Sequence, residues 1–391
     1  MRFVIAPDSY KESMSAETAA KAIKDGLHQL FPDAVFDLFP MADGGEGTLS
    51  SIKQVKKEMR HLDVPVHDPV GRIILAPIGV LEREGIIVIE MAQASGLMLL
   101  EDDERNPWMT SSYGTGELVL KALEFNPKEI ILGIGGSATN DGGIGFLRAL
   151  GARILDQHQQ PVDCGGKGLS QVHSIDLSKM APKLKHTRFT VLYDVSNPLI
   201  GQKGSSFVFG PQKGADINMT KELELGMNNY AKVLESELGI HVQHLEGSGS
   251  AGGLGFALRV FSDVHFFSGI DYMMKLSGIE DAIKNADIVF TGEGSIDAQT
   301  LEGKVPAGIA KTAKKYGKPV VAMVGRINCD TELLNHFGIS HVYSINNPVH
   351  DLKNALKNGS SNLKSAIVGL ACEIKEILGL NPSGEHGESK R

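Results

Sequence analysis

The chain opens with a short apolar run, Phe3 to Ala6, and then AETAAKAIKDGLHQLF, in which apolar positions recur at helical spacing. The first predicts a buried strand and the second an amphipathic helix, with Ser15 placed to cap its amino end. A second strand, near Val35 to Phe39, leads into PMADGGEGTLSSI and completes a β-α-β opening. The same alternation returns near the other end, in DIVFTGEG, a helix over Val305 to Tyr316, KPVVAMVG and HVYSIN. Between them, GRIILAPIGVLEREGIIVIEMA holds two extended runs around a charged, glycine-containing turn and predicts a hairpin. The pattern as a whole predicts an α/β protein. A discontinuous parallel-sheet domain of Rossmann or flavodoxin type would be built from residues 1–68 and 285–381, with a second α/β domain, residues 69–284, inserted in it. A cleft between two such domains is the natural place for a ligand. Segment 382–391 is poor in apolar residues and is expected to be disordered.

Composition narrows the functional classes. With a formal charge of -8 and dispersed basic residues, the chain lacks the basic patches that nucleic acid or an anionic membrane rewards. Cys164, Cys329 and Cys372 are far apart and form neither a CxxC pair nor zinc-ligand spacing, as expected of reduced thiols in a cytoplasmic protein. MRFVIAPDSYKES is too short in apolar residues for a signal peptide. A monomer or homodimer acting on a small molecule is the expectation. The 45 glycines are well above ordinary usage and require many close backbone approaches.

Those glycines concentrate, with hydroxyl, amide and acidic residues, in segments that follow predicted strands or precede predicted helices. They are APDSYKES, MADGGEGT, SSYGTGE, GIGGSATNDGG, DVSNPL, GSGSAGGLG and TGEGSIDAQT. Backbone amides in such turns bind phosphate or carboxylate oxygens. Asp43, Glu46, Asp141, Asp194, Glu293 and Asp297 lie in the same loops, and carboxylates beside an anion site make sense when Mg2+ lies between them. Lys11, Lys213 and Lys304 are the loop cations. This combination suits phosphoryl transfer. No GxxxxGK[ST] or GxSxG occurs, but Gly247 to Gly252 fits GxGxxG after the expected strand HVQHL, with Asp271 at ribose-binding distance. That keeps an NAD(P)-dependent hydroxy-acid dehydrogenase as the alternative class.

Taken together, APDSYKESMSA, PMADGGEGT, EMAQASGL, SYGTGEL, GIGGSATNDGG, DVSNPLIG, VFGPQKGA, GSGSAGGLG and TGEGSIDAQTLEGKVP closely resemble the bacterial glycerate kinases, in the family's order and over most of the chain. The resemblance implies an ATP- and Mg2+-dependent kinase that converts D-glycerate to 2-phosphoglycerate, and a two-domain α/β fold with the site between domains. Attack by the 3-hydroxyl, giving 3-phosphoglycerate, is the alternative. Ser295, Ala298 and Tyr193 stand where the family usually has Arg, Gly and often Cys.

Chemistry then assigns roles. Lys11, Ser95, Ser137 and Asn140 are expected to hold the acid through charge and hydrogen-bond donors. Gly135, Gly136, Thr139, Gly252, Gly253, Lys213 and Lys304 are expected on ATP phosphates, and Glu293 and Asp297 on the metal. Asp194, at the end of the predicted strand TVLY, is the candidate base, with Asp8 and Asp141 as rivals and Lys11 as a catalytic cation.

Overall fold

The computed structural model describes residues 1–297, 300, 303–346 and 351–380. The expected disordered tail, 382–391, and the departure at Ala298 lie outside them. The chain forms two compact units, Met1–Ala42 with Met273–Arg391, and Asp43–Tyr272.

In the first unit five strands run parallel in the order His341–Ser344, Val320–Ile327, Ile288–Ile296, Arg2–Pro7 and Val35–Leu38. The helix Ala16–Leu30 forms where the sequence predicts it, and the Ser15 hydroxyl accepts from the Thr18 amide at 3.2 Å. Its Ala19, Ile23 and Leu27, one turn apart, pack with Phe3, Ile5 and Phe290 of the sheet and with Leu363 and Ile367. Strand order reverses between Arg2–Pro7 and Ile288–Ile296. The former is followed by Val35–Leu38 on one side and the latter by Val320–Ile327 on the other. Such a reversal opens a crevice at the carboxyl ends of the strands.

The second unit carries a six-stranded mixed sheet in the order Val264–Ser268, Arg188–Tyr193, Glu129–Gly133, Ile86–Glu90, Ile73–Leu81 and Arg60–His67. The first four are parallel, and the last two run antiparallel to their neighbours. The expected hairpin is present, with Leu81 opposite Ile86. The inserted unit is, however, longer at its start and shorter at its end than the sequence suggests. Arg60–His67 pairs along its whole length with Ile73–Leu81, which carries the chain from Asp43 onward into the second unit, and the unit ends at Tyr272 rather than residue 284. A second correction concerns HVQHL, which is not a strand. Among the described helices none is long and apolar enough to cross a membrane.

Candidate active site

Several of the glycine-rich segments follow the carboxyl ends of parallel strands, APDSYKES in the first unit and GIGGSATNDGG and DVSNPL in the second. Those of the second unit pack on one another. Gly135 donates its amide to the Gly44 carbonyl at 3.0 Å, and Leu97 donates to the Gly136 carbonyl at 2.9 Å. Gly252 has φ +66°, and a side chain there would put its Cβ 1.8 Å from the Thr139 carbonyl oxygen. Gly253 lies against the Gly142 Cα, and Gly142 donates to the Gly252 carbonyl at 2.9 Å. These four glycines, expected on ATP phosphates, also let loop approach loop. Gly249 likewise lies against the Pro198 carbonyl, so the GxGxxG segment neither follows a strand nor lies open to a dinucleotide. The dehydrogenase alternative loses its structural basis.

Packing of the loops encloses a cluster of polar side chains. Asp141 is fully buried. Its Oδ2 accepts from the Ser112 amide at 2.9 Å, the Ser112 hydroxyl at 2.8 Å and the Gly145 amide at 3.2 Å, and its Oδ1 accepts from the Gly143 amide at 3.0 Å. Burial raises its pKa against the pull of those bonds. Asn140 accepts from the Ser205 hydroxyl at 2.8 Å and donates to that of Ser206 at 3.1 Å. Ser95 accepts from the Thr115 hydroxyl at 2.8 Å, its carbonyl accepts from the Ala138 amide at 2.9 Å, and Thr110 donates to the Ala138 carbonyl at 2.8 Å. Lys213, only 2% exposed, donates from Nζ to the Ser137 hydroxyl and the Thr139 carbonyl, both at 2.7 Å. One hydrogen bond thus joins Lys213, expected on phosphate, to Ser137, expected on the acid. Burial lowers the Lys213 pKa from 10.5 to about 7, against the pull of Asp141 and Asp194. Asp194, half-buried, stands just past the strand Arg188–Tyr193.

The first unit brings a different set together at its strand reversal. Asp8 directly follows Arg2–Pro7, and Glu293 directly follows Gly292, the register partner of Pro7. The Asp8 amide donates to the Gly292 carbonyl at 2.8 Å, and Asp8 Oδ1 accepts from the Ser9 amide at 2.6 Å. The Thr300 hydroxyl donates to Glu293 Oε1 at 2.6 Å, while its amide donates to Asp297 Oδ1 at 3.2 Å, so one residue ties both carboxylates. Beneath them lies Tyr10, whose hydroxyl donates to the Met323 carbonyl at 2.6 Å. Its pKa is raised first by burial and then by the charges of Glu293 and Asp8. Lys11 is exposed in the turn after Tyr10, with its amide beside Gly294, and Lys304 caps the helix Val305–Lys315. Among the described residues no three His, Cys, Asp or Glu side chains form a metal cage. A pair of carboxylates fits Mg2+ nonetheless, because that ion keeps its waters and takes one or two protein oxygens beside phosphate.

Sequence reasoning missed the hydroxyls that fasten these loops. Ser205 and Ser206 lie in GSSFVFG, which carries no acidic residue to draw notice, Thr110 stands just outside SSYGTGE, and Thr300 closes TGEGSIDAQT without having been given a role.

Comparisons with known proteins agree on one family. The model of the glycerate kinase family matches residues 3–375. The chain is 44% identical over 368 residues to a glycerate kinase of Halalkalibacterium halodurans, covering 94% of this chain and 97% of that one. It is 41% identical over 385 residues to a glycerate 2-kinase of Escherichia coli K12, covering 98% and 100%. Among solved structures, a Salmonella typhimurium LT2 protein assigned as glycerate kinase 2 matches with a TM-score of 0.77 at 41% identity, covering 96% of this chain and 98% of that one.

Proposed function

The chain belongs to the glycerate kinase family, and from that premise we propose that it transfers the γ-phosphoryl group of ATP, with Mg2+, to D-glycerate, giving 2-phosphoglycerate. The observation that carries the reading is a match over nearly the whole chain, which includes a relative named as a 2-kinase. Phosphoryl transfer is mostly positioning and charge balance, so the residues divide by those tasks.

Glu293 and Asp297 are the proposed metal carboxylates, held in one turn by Thr300. A bound Mg2+ supplies charge neutralisation on phosphate oxygens. Lys11 and Lys304 add positive charge for the same oxygens. Ser95, Ser137 and Asn140 are proposed to orient the acid, through hydroxyl and amide groups whose positions are fixed by Thr115, Lys213, Ser205 and Ser206. Asp194 is the proposed base that takes the proton of the attacking hydroxyl. Asp141 is a poorer base, because its oxygens already accept four hydrogen bonds that start the helix Ile144–Ala149. Asp8 accepts from its neighbour's amide and faces Tyr10, which suits a role beside the metal carboxylates.

An ADP-release assay with D-glycerate, ATP and Mg2+, read in parallel through enolase without mutase, tests the reading. Signal in both supports transfer to the 2-hydroxyl. ADP release without enolase turnover assigns the 3-hydroxyl, and no ADP release overturns the kinase reading.

A further inference from the structure

The Lys213 ammonium has no task in the scheme above except to hold Ser137, yet its setting is unusual for a fastener. It sits in the single turn Pro211–Lys213, and the acceptors at 2.7 Å, the Ser137 hydroxyl and the Thr139 carbonyl, are both neutral. An ammonium carries three protons, so a third remains for another acceptor. Thr139, whose carbonyl Lys213 holds, has a hydroxyl that is buried with no hydrogen-bond partner. A buried polar group in that state calls for a ligand or an ordered water. The cluster thus combines one cation and one orphaned hydroxyl with the fixed Ser137 and Asn140, a donor-rich set suited to a small anion with hydroxyl groups.

We propose that Lys213 is the anchor for the carboxylate of the acceptor acid, and that binding of the acid draws a proton from solvent onto Lys213. This rests on the hydroxy-acid reading of the preceding section. The proton balance is simple. Neutral Lys213 gains one proton from the buffer, the ammonium donates to the incoming carboxylate, and no bond in the acid is made or broken. The charged groups around it are Asp141, at the start of the helix Ile144–Ala149, and Asp194, past Arg188–Tyr193. Arg105 lies nearby in the chain's packing, its carbonyl and Cβ set against Gly214. The two aspartates hold Lys213 partly charged, whereas burial opposes them and lowers its pKa to about 7. An anion placed on Nζ tips that balance toward the charged form.

Calorimetric titration of D-glycerate into the full chain, with saturating ADP and Mg2+ present, tests this in buffers of different ionisation enthalpy. The expected uptake is roughly half a proton near pH 7, more near pH 8 and close to none near pH 5.5. The apparent Kd should be flat below about pH 6.5 and weaken toward tenfold per pH unit above about 7. In Lys213→Arg, which stays charged, both dependences should vanish, and Lys213→Met should lose most of the affinity. Heat without buffer dependence, a flat Kd in the wild type, or unchanged proton uptake in Lys213→Arg overturns the inference alone. If Lys213→Arg does not bind, the wild-type pH profile still decides. Absence of both heat and ADP release overturns the acceptor reading and this inference with it.

Discussion

Replacing Lys213 by methionine should make the second unit more stable at pH 7. Burial takes the ammonium from 10.5 to about 7. At roughly 1.4 kcal/mol per unit, keeping it charged in the fold costs on the order of 5 kcal/mol. At pH 7 the side chain is about half neutral, and a cost on the order of 4 kcal/mol relative to the unfolded chain remains. Methionine occupies similar space without a charge. Against this, the Ser137 hydroxyl and Thr139 carbonyl lose a donor, and a stranded buried carbonyl costs about 1–3 kcal/mol. The net expectation is a gain of roughly 1–3 kcal/mol for the variant, together with loss of acid binding.

The pH dependence has a definite sign. Because the folded-state pKa is depressed, the unfolded chain binds more protons between pH 7 and 10.5, and wild-type stability rises with pH across that window. Below about pH 6 Lys213 is charged in both states and contributes no slope. From pH 7 to about 9.5 the wild type should gain on the order of 3 kcal/mol that the variant does not. Urea unfolding followed by the fluorescence of Trp108 reads this directly, since it is the one tryptophan and packs on the core of the second unit. A variant less stable than wild type at pH 7, or with an equal slope, refutes the reasoning.

Asp141→Asn should destabilise the second unit by roughly 2–4 kcal/mol, because an amide cannot accept all four of the bonds that the carboxylate takes from Ser112, Gly143 and Gly145. Thermal unfolding checks it, and an unchanged midpoint argues that the loop relaxes freely. Thr300→Val should raise the Mg2+ concentration for half-maximal rate by about tenfold or more, with the KM for glycerate unchanged. A titration of rate against Mg2+ distinguishes this from a loss of acid binding.

Much of the architecture is legible in the chain because its parallel strands are continuous apolar runs. Phe3 to Ala6 and Ile288 to Phe290 are buried on both faces, and their period needs no partner to be read. Arg60–His67 was missed for the opposite reason. Only Val64 and Val66 are buried, a proline interrupts it, and its status as a strand depends on Ile73–Leu81 beside it. HVQHL fails because the Glu235 carboxylate takes the amides of Val242 and Gln243, at 2.6 and 2.9 Å, leaving them unavailable to a sheet. The candidate loops were recognisable by composition, but composition cannot tell glycines that meet a ligand from glycines that meet other loops. Nor could PQKGA show that its lysine would be almost wholly buried.

The strand Arg2–Pro7 lies inside its sheet, between Val35–Leu38 and Ile288–Ile296. During synthesis its second edge must therefore wait for a partner about 285 residues away, roughly 15–60 s at ordinary elongation rates. The residues from Asp43 to Tyr272 are contiguous and meet no such delay. An order of assembly follows, in which the inserted unit folds first and the leading segment remains an open-edged β-α-β fragment until the last third of the chain emerges. That interval, more than the finished fold, is when the protein is most exposed to strand-to-strand association with other nascent chains.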